Sequence, residues 1–341
     1  MLESERALRL DTREIKRLRI EKGWNQERLA AEVRVTKKTI ERWESGRPVY
    51  TRNIATLAEK LGVSPIQLCG QPRGKKVNDD RARAQLHHDV QKIWIDGVLR
   101  NSLQGLSAIA LSLQRTLGDT SHPCDYQLPQ ASNSSQQASS NAIADVFCQT
   151  EGEMLILGKP GAGKTTLLLQ LASVLLDKAR SNYKQPVPVI FNLASWVSRG
   201  SPFDTWLVEE LHQRYEVSSR LGCQWIEEGR IVPLLDGLDE ISVDKRCDCV
   251  EAINEFREAQ RVRHQIVPMV VCVREKNYEN LPVRLALKGA VIVKPLTRDQ
   301  VTDYLQRGGK RLAGLRDTLL ADPRLWGLLD TPLMLAVLAR V

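Results

Sequence analysis

The stretch GKPGAGKT, Gly158 to Thr165, lies between an apolar run, EMLIL, and a helical pattern, TTLLLQLASVLL. Its glycines permit backbone turns that other residues resist, and its flanks read as a strand entering a helix. The string fits G-x-x-x-x-G-K-[ST], in which backbone N–H groups and the helix N-terminus face phosphates. On that reading Gly158, Lys159, Pro160, Gly161, Ala162, Gly163, Lys164, Thr165 and Thr166 hold a nucleotide, ATP or GTP. Lys164 neutralises the β and γ phosphates, Thr165 offers its hydroxyl to Mg2+, and Thr166 meets the α phosphate or caps the helix.

From residue 142 onward, five short apolar runs, EMLILG, VPVIFNL, IVPLLD, IVPMVVCV and AVIVKPL, are separated by enough chain for crossover helices. This alternation predicts an α/β P-loop NTPase core with a five-stranded parallel sheet covered on both faces. A second strand must deliver a carboxylate toward the metal, and IVPLLD does so with Asp236 about seventy residues after the loop. Beyond it come Gly237, Asp239 and Glu240, in PLLDGLDEIS.

The motifs GKPGAGKTTLLLQLA, LLDGLDE, CVREKNY, KPLT and TPLML, in this order, resemble the NACHT branch of the STAND NTPases. The resemblance runs over residues 142–341, and its most specific element is the small Gly237 directly after Asp236. It implies that Asp236 and Thr165 bind the metal, while the water-handling acid is displaced to Asp239, with Glu240 beside it. It also implies that Arg274 reads the γ-phosphate and that Pro332 packs on the base, with Leu333 and Leu335 as core. Val273 departs from the small or hydroxyl-bearing residue usual there. Residues 142–297 form the expected NTPase core, and 298–341 the start of a helical lid. The family usually continues into a winged helix and sensor repeats, so the chain is expected to be truncated or a stripped-down relative.

Residues 8–70 carry fourteen Lys and Arg against eight Asp and Glu. Within them, REIKRLRIEKGWNQERLAAEVRVTKKTIERWESGRP resembles the Cro/XRE helix-turn-helix family. Asn25 and Thr36 read as helix N-caps, and Ser64 to Gln67 as a capping box with proline at the first helical position. Leu29, Ala30, Val33, Val35, Ile40 and Trp43 supply the buried side, Trp43 as core rather than as a base-stacking residue. Lys37, Lys38, Thr39 and Arg42 then lie outward at the start of a groove-reading helix, while Gln26 and Arg47 match phosphate-contact positions. Arg34 stands where the family commonly has glycine, and costs roughly 1 kcal/mol if its backbone is left-handed.

Between the two, residues 71–141 read as a helical connector and a Ser/Gln-rich linker. Val90, Ile93, Trp94, Val98, Leu99 and Leu103 recur at helical spacing, with His87 and His88 as ordinary helix residues. QASNSSQQASSN, residues 130–141, reads as flexible linker.

The fold expectation is therefore multidomain: an all-α helix-turn-helix domain followed by the α/β NTPase. The net charge of +8 fits an anionic partner. No apolar run approaches the roughly 18 residues a membrane span needs, the start lacks a signal-peptide core, and the seven cysteines are scattered. These point to a cytoplasmic protein with reduced thiols and no membrane partner. The functional expectation is an ATP-binding, slowly hydrolysing switch that self-associates through its NTPase part and binds DNA through its amino-terminal domain, in transcriptional regulation or defence. Two other readings fit the same motifs. One is a transposition-helper DNA-dependent ATPase, and the other a defence adaptor whose helix-turn-helix binds protein.

Overall fold

The computed structural model describes residues 7, 8, 10, 12–63, 68, 76–100, 111–117, 125–127, 135–262 and 267–339. Chain contacts divide it into two compact units, Met1–Leu86 with Ser195–Arg230, and His87–Ala194 with Ile231–Val341. Ser195–Arg230, within the segment expected to form the NTPase core, groups with the first unit.

The first unit contains α1 (Thr12–Glu21), α2 (Gln26–Val33), α3 (Lys37–Glu44) and α4 (Thr51–Leu61). A two-residue strand, β1 (Ala7–Leu8), pairs antiparallel with β2 (Val49–Tyr50). The caps are as the sequence reads. Asn25 accepts from the Arg28 N–H at 2.8 Å, and Thr36 accepts from the Thr39 N–H at 3.3 Å. Between α2 and α3, Arg34 adopts φ 57° and ψ 44°, the left-handed conformation that glycine tolerates best. The four helices enclose Ile15, Leu29, Ile40, Trp43, Val49, Ile54 and Leu57. Val35 packs at the edge of this core. The capping box expected at residues 64–67 lies outside the described residues.

The same unit holds two further helices, Phe203–Tyr215 and Ser219–Glu227, which bury Trp206, Tyr215 and Trp225. The helix Lys76–Val90 reaches them through Asp79, which accepts from Trp225 Nε1 at 2.7 Å and from Arg230 Nη1 at 2.6 Å.

In the second unit a seven-stranded sheet has the order β4-β3-β9-β5-β8-β7-β6. Its parallel part comprises β5 (Glu153–Gly158), β6 (Val187–Asn192), β7 (Ile231–Asp236), β8 (Met269–Arg274) and β9 (Gly289–Val293), the five expected strands. Their nearly continuous burial is that of a sheet covered on both faces. Two antiparallel strands, β3 (Leu113–Leu117) and β4 (Asp125–Gln127), extend the sheet beyond β9. The sequence reading assigned this stretch to the connector, since such short polar strands acquire their conformation from the sheet edge they join.

Two other expectations are corrected in the connector. Residues Gln91–Leu99 wind as a π-helix, with hydrogen bonds from i to i+5, so the buried positions are Val90, Ile95 and Leu99. Ile93 and Val98, assigned inward by a period of 3.6, are exposed. The stretch read as flexible linker also gives way at Ser135 to a helix, Ser135–Gln149. His87 is an ordinary member of its helix, its Nε2 lying 3.0 Å from the carbonyl of Leu176.

After β9, helices at Arg298–Arg307, Ala313–Ala321 and Pro332–Leu338 build a small core of Val301, Tyr304, Leu305, Leu319 and Leu335. Leu335 is buried as expected, but Leu333 is exposed. Among the described residues no helix is long and apolar enough to cross a membrane.

At the opening of β5, Glu153 is buried with Arg257, whose Nη2 lies 2.5 Å from Glu153 Oε2, and Arg261 adds a contact at 3.1 Å. Burial lowers the Arg257 guanidinium from its ordinary pKa, against the pull of Glu153. Glu153→Gln leaves that guanidinium without its counter-charge and is expected to cost about 3–5 kcal/mol, read from the urea midpoint of the NTPase transition. Arg34→Gly relieves the left-handed strain. It is expected to stabilise the first unit by about 0.5–1 kcal/mol, read as slower amide exchange in α2 of the full chain.

Candidate functional site

The register of the sheet collects the site at one edge. Gly158 at the end of β5 pairs with Arg274 of β8 and with Val293 of β9, while Asp236 at the end of β7 pairs with Asn192 of β6. Because β8 stands between β5 and β7, the phosphate loop and the acidic strand exit are separated by one strand at the same edge.

The loop bends where its glycines allow. Gly161 has φ +70° and Gly163 φ +94°, and Gly163 caps the helix Lys164–Ser181. Lys164 Nζ donates to the carbonyls of Gly158 and Lys159, both at 3.1 Å. Burial lowers its ammonium from the ordinary pKa, and the nearby charge of Asp239 opposes that shift. The Thr165 hydroxyl donates to Asp236 Oδ2 at 2.7 Å, and the Gly237 N–H donates to Asp236 Oδ1 at 3.0 Å. Burial raises the Asp236 carboxyl above its ordinary pKa, and these two hydrogen bonds pull it back.

Gly237 is required on two counts. Its φ is +83°, and an added Cβ would meet Glu240 Oε2 at 3.0 Å and Asn192 Oδ1 at 3.2 Å. The turn it makes aims the two following acids differently. Asp239 Oδ2 reaches Arg274 Nε at 2.5 Å, whereas Glu240 faces Asn192, whose Nδ2 is 3.5 Å away. Of the two, Asp239 is therefore joined to the arginine that ends β8.

Sequence reading missed Asn192 and Arg246. Arg246 donates from Nη2 to the Asp239 carbonyl at 2.8 Å and from Nε to the Ile241 carbonyl at 2.9 Å, clamping the acidic turn. Neither residue sits in a motif, and only the folded turn brings them in. Val273 is wholly buried in β8. Cys249 is also buried, which pushes its thiol up to about 12, so it serves as a core residue and not as a thiolate.

The remaining expected nucleotide contacts divide. Pro332 lies beside the loop, its Cγ 3.9 Å from where a Cβ of Gly163 would be. Ala162 is buried, Thr166 half-buried and Pro160 exposed. Lys159 turns away, its Nζ 3.0 Å from Asp330 Oδ2.

In the helix-turn-helix, α3 buries Ile40 and Trp43 and leaves Lys37, Lys38 and Arg42 exposed, with Thr39 half-buried. Lys37 Nζ is 2.9 Å from Glu27 Oε1, and Arg47 is exposed after α3. Gln26, expected to touch phosphate, donates its amide to Glu44 Oε2 at 2.7 Å. Glu44 also receives Arg19 Nε at 2.6 Å. Burial works against the Glu44 charge, but hydrogen bonds from Arg19 and Gln26 outweigh it and hold the carboxyl below its ordinary pKa.

A glycine loop at a helix N-terminus, with a hydroxyl on that helix bonded to a half-buried carboxylate at the exit of the next strand but one, is the arrangement of a P-loop NTPase fold. The family model described as NACHT domain matches residues 153–310, and the model described as Helix-turn-helix matches residues 15–68. The chain thus joins a Cro/XRE-type helix-turn-helix region to a NACHT domain, in that order. None of the curated proteins matches it. Among solved structures it is similar to the Aeropyrum pernix ORC1 protein in complex with DNA, at 18% identity and a TM-score of 0.36. That match covers 53% of this chain and 49% of the other, so the chain spans about half the length of that relative.

A NACHT domain implies a bound nucleotide with a divalent metal, and the residues present fit both. The ionised form of half-buried Asp236 calls for a cation, and a carboxylate with a hydroxyl suits a hard ion that takes its other ligands from phosphate and water. Asp236→Asn is expected to remove the enhancement of nucleotide binding by Mg2+, measured by titrating a fluorescent nucleotide with and without the ion.

Proposed function

We propose that this chain is a cytoplasmic, ATP-binding switch of the STAND type that hydrolyses ATP slowly and uses its helix-turn-helix to bind DNA. The observation that carries this reading is the 2.7 Å hydrogen bond from Thr165 to Asp236, which joins the phosphate loop to a carboxylate 71 residues further on. A hydroxyl and a carboxylate held together at a helix N-terminus are the protein ligands of a nucleotide-bound Mg2+.

In this scheme the loop N–H groups and Lys164 hold the phosphates, and Thr165 and Asp236 hold Mg2+, which neutralises charge building on the phosphoryl oxygens. Asp239 accepts a proton from, or orients, the attacking water. Arg274, which the structure pairs with Asp239, would share its guanidinium with a γ-phosphate in this scheme, so that phosphate recognition and the freeing of the acid are one event. Exposed Lys38, Arg42 and Arg47 on the helix-turn-helix supply the basic face for DNA, with Lys37 shared with Glu27. Nucleotide state sets self-association of the NTPase part, and several gathered copies raise the affinity of a weak single reader.

Lys164→Ala is expected to abolish binding of a fluorescent ATP analogue, and Asp239→Asn to slow hydrolysis at least about tenfold while sparing binding. If Glu240→Gln slows it and Asp239→Asn does not, the role passes to Glu240. For DNA, electrophoretic shifts of the full chain should weaken steeply with salt and with Arg42→Ala; binding insensitive to both rejects the DNA assignment.

A further inference from the structure

Lys159 occupies a variable position of the phosphate loop, yet both of its polar ends are engaged. Its carbonyl accepts from Lys164 Nζ at 3.1 Å, and its ammonium lies 3.0 Å from Asp330 Oδ2. Asp330 precedes Thr331, the N-cap of the helix Pro332–Leu338, and its carbonyl accepts from the Leu296 N–H at 2.9 Å, which ties it to the end of the sheet. The first turn of that helix rests on the loop at two more points. The Leu333 N–H donates to the Gly161 carbonyl at 3.3 Å, and an added Cβ on Gly161 would lie 2.8 Å from Leu333 Cβ. Pro332 stands by Gly163.

Leu333, exposed on its outer side, thus rests its inner side on a glycine of the loop rather than on a core. These contacts mean that the outer wall of the loop and the lid helix cannot move independently. We propose that Lys159 and Asp330 form a latch that holds the lid helix on the phosphate loop and sets how quickly nucleotide leaves. Lys159 is thus a positioning residue that acts through the lid, distinct from Lys164. The ion pair is half-exposed, so each charge adds only modestly, and salt screens it.

The nucleotide side of this proposal rests on the ATP-binding reading of the same site, so the test has two arms on the full chain. In the first, hydrogen exchange is followed at amides 333–338. In the second, release of N-methylanthraniloyl-ADP with Mg2+ is timed by stopped flow. Lys159→Gln and Asp330→Asn should each speed both processes by about two- to fivefold. The reversed pair, Lys159→Asp with Asp330→Lys, should return both toward the unsubstituted rates. Unchanged rates in the single variants, or failure of the reversed pair to restore them, overturns the latch. Loss of nucleotide binding in Lys159→Gln as complete as in Lys164→Ala overturns it too, by making Lys159 a phosphate ligand. If the unsubstituted chain binds no nucleotide, the ATP-binding reading fails while the exchange arm still decides the ion pair.

Discussion

The hydrogen bond between Thr165 and Asp236 ties the helix that follows the phosphate loop to a strand that does not adjoin β5. It forms where β8, standing between β5 and β7, brings their carboxyl ends to one edge of the sheet. The rest of the site is arranged around that edge. Lys164 faces it from the loop, Arg274 ends the intervening strand, and the turn after Asp236 swings Asp239 against Arg274. Remove the crossover order and the same motifs would be scattered over one sheet edge with no common focus.

Burial gives this arrangement its electrostatics. Lys164 and Asp236 are both shifted toward their neutral forms by desolvation, and each is pulled back by groups of the site itself. Such a site is held together by internal pairing and by the polar ligands it takes, which is the physical basis for coupling its occupancy to neighbouring elements. Arg246, on the helix after the acidic turn, and Asp330, just before the helix Pro332–Leu338, are two side chains that join the site to neighbouring elements.

Much of the fold was legible because the residues answer local demands. Glycine marks positive φ at Gly161, Gly163 and Gly237, and side-chain oxygens mark the caps at Asn25 and Thr36. Continuous apolar runs mark the buried parallel strands. What misled was periodicity where the winding changes. A helical period of 3.6 assigns Ile93 and Val98 inward, whereas π-winding moves burial to Ile95. Strands β3 and β4 carry too little pattern to be seen, since the edge of β9 imposes their conformation. Gln26 matches a phosphate-contact position, and no local pattern reveals that its amide also meets Glu44, 18 residues away.

By itself the sequence determined the chemistry available: a phosphate loop, a carboxylate at a strand exit, displaced acids after a glycine, and a basic helix behind two caps. Those follow from backbone geometry and residue type over a few positions. Only the tertiary structure decided which acid meets Arg274, which lysine of the loop faces inward and which faces the lid, and how the sheet is extended. These depend on pairings between residues tens to hundreds of positions apart, such as Lys159 with Asp330, and a pairing at that range has no local signature to read.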